Sequence, residues 1–300
     1  MDTHDNISLK MNSLGKNFSE TCHPFIKWAG GKSRLISQIK NFIPKEFNNY
    51  FEPFVGSGAL FFYIVRSFKI KRDCYVHISD INAELINVYK IIKDNLNDLI
   101  KELQYNEIEY HKDPKKFYYK LRAETLRFNR IQKAARFITL NKTCYNGLYR
   151  VNKRGLFNVP IGNYIKPKIC DLENLIKVNK IINLANIIFE TYDYQHITKR
   201  IKENDFIYFD PPYHPLNETS NFTNYTSHGF DYNEQKRLAD FFYELDKRKC
   251  KILLSNSDTI IVRDLYSSFR QNIISLPTLR SINSNTKKRK NHSELIIKNF

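Results

Sequence analysis

The chain has 300 residues, of which 42% are hydrophobic, and a formal net charge of +17. This length and apolar content allow one large domain, or a core domain with a smaller insert. No apolar run is long enough to cross a bilayer, and residues 1–22 lack the apolar stretch of a secretion signal. Five cysteines without a CxxC pair and eight histidines without a zinc-binding spacing predict a cytoplasmic protein with free thiols, no membrane association and no metal site.

Positive charge is concentrated in the middle of the chain. Between residues 112 and 168 there are 15 Lys or Arg residues against two acids, interleaved with nine aromatic residues. A solvated charged surface usually mixes both signs and avoids aromatic side chains. The segment therefore favours a polyanionic partner, most simply a nucleic acid.

The N-terminal part begins with residues 1–23, whose polar composition predicts a disordered extension. A helical pattern follows at residues 34–42. The run Gly31-Lys32-Ser33 resembles the end of a phosphate-binding P-loop. That motif needs a glycine where this chain has Ile26, so a P-loop is rejected.

Residues 50–60 read as a strand, a turn containing Gly56 and Gly58, and the start of a helix, which together form the first unit of a Rossmann-like sheet. A second predicted strand, at residues 75–79, ends at Asp80, whose carboxylate is suited to accept hydrogen bonds from ribose hydroxyls. The third glycine of the dinucleotide fingerprint is missing. On the turn alone NAD and S-adenosylmethionine both stay open, and so does a purely structural turn with a surface Asp.

The basic middle of the chain is predicted to be an insert. Asn82 can cap a helix, and the pattern then stays helical to about residue 142, before the later strands of the sheet appear. This predicts an inserted helical domain at residues 95–182 within an α/β domain made of residues 24–94 and 183–300. Short β-prone runs around Gly155 predict a hairpin, and a two-stranded ribbon fits the DNA major groove, where Arg150 could reach guanine O6 and N7.

Further strands are predicted at residues 187–190, 205–209, 251–254 and 295–298, with a helix at 233–248. Two polar segments lie between them. Residues 216–229 have the length and composition of a mobile lid. Residues 285–292 form a basic loop that either contacts phosphate or is solvated.

The strand at residues 205–209 runs directly into Asp210-Pro211-Pro212-Tyr213, at the sheet edge where open α/β folds bind ligands. The two prolines stiffen the turn and leave its carbonyls as acceptors, Asp210 adds a carboxylate, and Tyr213 offers a flat face for stacking. Such a pocket suits an exocyclic amino group on a planar heterocycle. In isolation the tetrapeptide is equally compatible with a plain strand end and turn.

Together these segments resemble the Dam-type DNA adenine-N6 methyltransferases, and most closely those of GATC-specific, DpnII-type restriction–modification systems. The resemblance runs from about residue 24 to residue 300, and residues 1–23 depart from it. It rests on six segments in a fixed order: residues 25–32, 51–61, 80–89, 145–162, 205–213 and 218–226.

The resemblance implies a Rossmann-like sheet that uses S-adenosylmethionine, with a helical target-recognition insert carrying a β-hairpin. It makes residues 95–182 the target-recognition insert, and residues 24–94 and 183–300 the catalytic domain. It assigns the catalytic turn to Asp210, Pro211, Pro212 and Tyr213. It assigns cofactor binding to Trp28, Lys32, Phe54, Gly56, Gly58, Asp80, Asp193 and Asp210. It assigns DNA recognition to Lys27, Tyr145, Asn146, Arg150 and Pro160, with Lys27 and Arg150 at positions that read guanine.

The implied reaction is transfer of a methyl group to the N6 of a flipped adenine, whose amino group donates to Asp210 and to the Pro211 carbonyl. Double-stranded DNA as the partner follows from the same resemblance, and a monomer or weak dimer is expected. A cognate restriction endonuclease is compatible with the resemblance, but the sequence does not reveal whether one exists. Transfer to cytosine N4, RNA or a protein glutamine is an alternative, as is a catalytically silent DNA-binding module. Transfer to cytosine C5 is excluded, because no cysteine follows a proline.

Overall fold

The computed structural model describes residues 21–67, 74–124, 128–214, 230–278 and 292–300. A seven-stranded sheet lies at its centre. Its strands are β1 (Tyr50–Glu52), β2 (Tyr75–Asp80), β3 (Asn186–Thr191), β4 (Phe206–Phe209), β5 (Lys251–Ser257), β6 (Ile273–Thr278) and β7 (His292–Lys298). The strands predicted from the sequence are confirmed, several of them with longer bounds, and β6 is an addition.

The strand order is β3-β2-β1-β4-β5-β7-β6. The pairs from β3 to β5 are all parallel, whereas β7 is antiparallel to both of its neighbours, β5 and β6. The order reverses between β1 and β4, which is where doubly wound sheets bind ligands at the carboxyl ends of their strands. The predicted α/β class with a Rossmann-like sheet is confirmed.

The α-helices of the described residues flank this sheet and form the basic middle of the chain. They are α1 (Ile36–Ile39), α2 (Ala59–Ser67), α3 (Ala83–Asp94), α4 (Leu96–Lys112), α5 (Pro114–Ala123), α6 (Arg130–Thr143), α7 (Leu172–Ile182), α8 (Tyr232–Lys247) and α9 (Ile260–Leu265). The predicted cap is present, because the Asn82 side chain accepts a hydrogen bond from the Leu85 amide at 3.1 Å. Short 3-10 turns flank α1 and replace the single helix predicted at residues 34–42.

Both faces of the central strands are buried, and the alternation of side chains divides the core in two. Tyr50 and Phe206 point into one hydrophobic cluster, which also contains Tyr208. Their neighbours Phe51 and Ile207 point into the other. Because β1 and β4 are covered on both faces, only their carboxyl ends leave functional side chains accessible.

The basic middle of the chain is helical as predicted, in α4, α5 and α6. Buried residues of these helices, such as Leu99 and Phe137, belong to the same hydrophobic cluster as Ile64 of α2 and Val88 of α3. The insert therefore packs against the helices that cover the sheet through one continuous core. Its boundaries at residues 95 and 182 stay a prediction.

The predicted hairpin is present in a minimal form. Val151 and Phe157 form an antiparallel bridge, and backbone hydrogen bonds from Asn152 to Leu156 and from Asn158 to Arg150 flank it. The chain reverses before Gly155, which has a φ of +73°. The hairpin is therefore held by single bridges and turn bonds rather than by a regular ladder.

Several predicted segments lie outside the described residues: residues 1–20 of the extension, the polar segment 216–229, most of the basic segment 285–292, and the matching segment 218–226. Within the described ranges, no helix combines the length and apolar content that a membrane crossing requires. All five cysteines are free thiols, as predicted.

Candidate active site

The glycine turn after β1 brings backbone close to an aromatic side chain. Gly56 has a φ of +48°, and a Cβ atom there would lie 2.6 Å from Cδ1 of Trp28. Gly58 has a φ of +71°, and a Cβ atom there would lie 2.6 Å from the Tyr89 hydroxyl. Both positions therefore need glycine, for conformation as well as for space.

Asp80, at the end of β2, holds this turn from the neighbouring strand. One of its carboxylate oxygens accepts from the Gly56 amide at 3.3 Å, and the other accepts from the Asn82 amide at 2.9 Å. Burial raises the pKa of Asp80 to about 6, and these backbone hydrogen bonds oppose the rise. Asp80, which is predicted to bind a ribose, thus also holds the glycine turn in place.

Asp210, directly after β4, is paired with a buried lysine. Nζ of Lys32 lies 2.7 Å from Oδ1 of Asp210, and the Ser255 hydroxyl donates to the same oxygen at 3.0 Å. Lys32 is 3% exposed and also donates to the Gly30 carbonyl at 2.6 Å. Burial raises the pKa of Asp210, and the Lys32 ammonium opposes the rise.

The aromatic ring of the turn is held at two points. Nζ of Lys32 lies 4.5 Å from the centroid of the Tyr213 ring, so one face of the ring is covered by a cation. The Tyr213 hydroxyl donates to Oε2 of Glu294 on β7 at 2.7 Å. The carbonyl of Pro212 accepts from the Gln235 side chain at 3.0 Å, so one acceptor of the turn is engaged within the protein.

The acidic turn and the glycine turn open into one cleft of about 1080 Å³. The predicted site residues that line it are Trp28, Lys32, Phe54, Gly56, Asp80, Asp193, Asp210, Pro211, Pro212 and Tyr213. Gly58 is not among them, because it packs against Tyr89 behind the turn. The structure thus brings together side chains that are up to 185 positions apart in the sequence, from Trp28 to Tyr213.

Phe54 and Asp193 lie on the same side of the cleft. The Phe54 ring packs 5.3 Å from that of Tyr194. One oxygen of Asp193 accepts from the Gln195 amide at 3.0 Å and forms an ion pair with Arg237. The Asp193 carboxylate is therefore oriented before any ligand binds.

The predicted DNA-recognition residues lie beside the cleft. Tyr149, Val151 and Gly155 of the hairpin segment line it, and the Tyr149 ring stacks on Trp28 at 5.7 Å between centroids. The five predicted residues Lys27, Tyr145, Asn146, Arg150 and Pro160 are all exposed. They form a rim next to the cleft rather than part of its lining.

Local bonds hold these exposed residues in place. Nζ of Lys27 lies 4.1 Å from the centroid of the Tyr164 ring, and Nε of Arg150 donates to the Asn158 side chain at 2.7 Å. The Tyr145 amide donates to the Pro160 carbonyl at 2.9 Å. Asn146 has a φ of +55°, a left-handed conformation that Asn tolerates better than most residues.

A further buried carboxyl group of the cleft does not appear among the predicted site residues. Glu52, the last residue of β1, is 2% exposed and accepts from the Tyr50 hydroxyl at 2.5 Å. Burial raises the pKa of Glu52 to about 8, and the nearby Asp210 adds to the rise. Its position at the end of a central strand, like that of Asp210, is the signal that could have identified it.

The sheet order and a cleft at its reversal point define a Rossmann-like α/β fold with a ligand site at the carboxyl ends of its strands. The family model for D12 class N6 adenine-specific DNA methyltransferases matches residues 28–282. The chain belongs to this family, whose reaction is methylation of adenine N6 in DNA. The family and the fold imply S-adenosylmethionine as the methyl donor and DNA as the substrate.

Relatives that carry a functional name agree with the family. A type II methyltransferase of Methanocaldococcus jannaschii, M.MjaIII, is 44% identical over 92% of this chain and 99% of its own length. A type II methyltransferase of Lactococcus lactis, M1.LlaDCHI, is 38% identical over 97% of this chain and 99% of its own length. The DNA adenine methylase of Escherichia coli K12 is 35% identical over 91% of this chain and 93% of its own length.

These matches decide between the alternatives that the sequence pattern leaves open. The family description names adenine N6 and DNA, so cytosine N4, RNA and protein glutamine are not supported as acceptors. A silent DNA-binding module is not supported either, because the relatives are named as methyltransferases and methylases.

Proposed function

We propose that this protein transfers a methyl group from S-adenosylmethionine to the N6 of an adenine within GATC, after that adenine has been flipped out of the duplex. The observation that carries the proposal is the single cleft into which the Asp210 turn and the Gly56 turn both open. Its volume of about 1080 Å³ lies at the upper end of the roughly 300–1,000 Å³ of ordinary ligand pockets, and both turns contribute to its lining.

The residues around the glycine turn fit the donor. Gly56 lets a ligand approach the backbone closely, Asp80 offers carboxylate oxygens to ribose hydroxyls, and Asp193 suits an adenine amino group. Phe54 supplies an apolar surface beside them, and Trp28 and Lys32 close the cleft. When bound, S-adenosylmethionine supplies an electrophilic methyl group on a sulfonium.

The acidic turn fits the amino group of the target base. Asp210 and the Pro211 carbonyl would accept from the two N6 hydrogens, which aims the nitrogen lone pair away from the ring. Lys32 covers one face of Tyr213, so the base would stack on the other face. Flipping costs a few kcal/mol, and stacking on an aromatic ring returns roughly 1–3 kcal/mol of it.

The exposed rim beside the cleft would read the DNA sequence. Lys27 and Arg150 would contact guanines, Pro160 a base edge, and Tyr145 and Asn146 the region of the extruded adenine. The basic surface of the insert would bind the phosphates. The basis for GATC is the resemblance of residues 145–162 to GATC-specific enzymes.

The cellular setting follows from the DNA substrate and from the named relatives. The enzyme would act on DNA in the cytoplasm. Two relatives are named type II methyltransferases, which supports a role beside a cognate restriction endonuclease. We expect a monomer or weak dimer, which light scattering on the free protein and on its DNA complex will test.

Methylation of DNA of known sequence tests the proposal. The purified enzyme and S-adenosylmethionine are incubated with a plasmid, and the modified bases are mapped at single-nucleotide resolution. N6-methyladenine confined to GATC supports the proposal, whereas modification in another sequence context contradicts the assigned site. A rise in 2-aminopurine fluorescence, with the probe at the target position, tests flipping separately.

A further inference from the structure

Glu294 lies on β7 and contacts the acidic turn formed by residues 210–213. Nothing in the sequence pattern predicts this contact. Its Oε2 atom accepts from the Tyr213 hydroxyl at 2.7 Å and lies 4.0 Å from Nζ of Lys32. Lys32 itself lies 2.7 Å from Asp210 and 4.5 Å from the centroid of the Tyr213 ring. These contacts form a closed set of four side chains around the acidic turn.

The backbone of Glu294 is firmly placed. It lies on β7, opposite Ser257 of β5 in the antiparallel register. The two residues after it, Leu295 and Ile296, are buried in opposite halves of the core. Because this backbone is fixed in the sheet, the Glu294 carboxylate can hold a side chain of the neighbouring turn in one position.

The backbone on both sides of Tyr213 is hydrogen-bonded. The Pro212 carbonyl accepts from the Gln235 side chain at 3.0 Å, and the His214 amide donates to Oδ1 of Asn256 at 3.3 Å. Tyr213 therefore starts from a fixed backbone, and its side-chain contacts decide the plane of the ring. Its ring has one face against Lys32, and a cation–π contact constrains the distance to the ring more than its rotation. The hydroxyl bond to Glu294 supplies the second point that fixes the ring plane.

We propose that Glu294 is a positioning residue: by accepting the Tyr213 hydroxyl it holds the ring in the plane on which the target adenine stacks. The inference rests on the proposed function of Tyr213. Glu294 would not contact the base or the methyl donor. It would act only through Tyr213, and its loss would lower the rate of transfer without weakening DNA binding in proportion.

Single-turnover methyl transfer to a GATC duplex tests this, with wild type compared with Glu294→Ala, Tyr213→Phe and the double variant. Because misplacement of a reacting group by about 1 Å can cost up to 10²-fold, we expect each single variant to be slower by roughly 10-fold. The double variant should be no slower than the slower single variant, because both remove the same hydrogen bond. Glu294→Gln, whose amide oxygen can accept from the hydroxyl, should keep most of the wild-type rate.

Fluorescence of 2-aminopurine at the target position gives a readout that a merely structural role would not change. A loosely held ring stacks less well, so Glu294→Ala should increase the fluorescence of the flipped probe. Glu244→Ala is the matched control, since Glu244 of α8 forms an exposed ion pair with Arg248 and does not line the cleft. Melting temperatures of all variants identify any loss of folding.

Three results would overturn the inference: a rate for Glu294→Ala within about twofold of wild type, losses that multiply in the double variant, or a Glu294→Gln variant as slow as Glu294→Ala. Failure of the proposed function is distinguishable, because it appears as absent or misplaced methylation by the wild-type enzyme before any variant is compared.

Discussion

The side chain of Asn141 bonds both backbone polar groups of Lys27. Its Oδ1 accepts from the Lys27 amide at 2.9 Å, and its Nδ2 donates to the Lys27 carbonyl at 2.8 Å. The same Nδ2 donates to the Gly147 carbonyl at 3.1 Å. Asn141 therefore joins the segment that contains Lys27 and Trp28 to the segment that begins the recognition hairpin.

Asn141→Ala should weaken sequence discrimination as well as the fold. Asn141 is 1% exposed, and leaving a buried polar group without a partner costs about 1–3 kcal/mol. The free energy of unfolding, measured in urea, should fall by an amount of that order. Discrimination should fall as well, measured as kcat/KM for GATC divided by kcat/KM for a site in which one guanine is replaced. Asn106→Ala is the control, because Asn106 is also buried but bonds to Thr139 within the helical insert. If Asn141→Ala loses as much stability as Asn106→Ala and its kcat/KM ratio is unchanged, the hydrogen bonds of Asn141 have no part in recognition.

Arg150→Ala should relax discrimination at one guanine. Its Nε is engaged by Asn158, which orients the remaining guanidinium donors for a base edge, and a bidentate contact of this kind is worth about 1–3 kcal/mol. Binding of duplexes substituted at each position of GATC measures the effect. Arg130→Ala is the matched control for Arg150→Ala. Nε of Arg130 also donates to an asparagine, Asn87, but Arg130 lies outside the hairpin. Equal weakening on every duplex would make Arg150 a phosphate contact.

Gly56→Ala should impair binding of the methyl donor. The added Cβ would meet Trp28 at 2.6 Å, so the indole or the turn must shift in the wall of the cleft. We expect the dissociation constant of S-adenosylmethionine, measured by calorimetry, to rise by on the order of 10-fold, which corresponds to about 1.4 kcal/mol. Gly155→Ala is the control for backbone strain alone. Gly155 also has a positive φ, but a Cβ atom there would have open space around it. Similar affinity in both variants would contradict the importance of the contact between Gly56 and Trp28.

The local parts of this site could be predicted from the sequence. A glycine turn after β1, a carboxylate after β2 and the stiff acidic turn after β4 are each encoded within about ten residues, and the sheet brings strand ends together by its own rules. The strand β6 is harder, because Pro277 argues against a strand except at an edge, and β6 is the last strand of the sheet.

The contacts between distant segments could not be predicted in this way. Tyr213 and Glu294 are 81 positions apart, and Lys27 and Asn141 are 114 positions apart. A lone Glu or Asn in an apolar strand or helix carries no local sign of its partner. The burial of Lys32 is similar, since a lysine is almost never fully buried without a counter-charge, and Asp210 is 178 positions away.

Glu52→Gln should change the pH dependence of stability. Burial raises the pKa of Glu52 from 4.5 to about 8, so the folded protein retains a proton that the unfolded chain loses. The stability contributed by this group is fully present below pH 4.5 and is lost as the pH rises to about 8. The melting temperature of wild type should therefore fall relative to that of Glu52→Gln as the pH is raised from 5 to 8. Parallel curves for the two proteins would contradict the raised pKa.

Asp210→Ala addresses the central claim, that the acidic turn holds the amino group of a flipped adenine next to the methyl donor. Removing one preorganised hydrogen-bonding group from a transition state costs on the order of 10²–10³-fold in rate. Asp210→Asn keeps the shape of the side chain and one acceptor oxygen but removes its charge. Both variants leave the buried Lys32 without its counter-charge, so the difference between them isolates the hydrogen-bond acceptor.

The most direct measurement is the single-turnover rate of methyl transfer to a GATC duplex, recorded with the dissociation constant of the same duplex. We expect Asp210→Ala to lose at least 10²-fold in rate while its affinity for DNA stays within a few-fold of wild type. Near-normal transfer by Asp210→Ala would contradict the central claim.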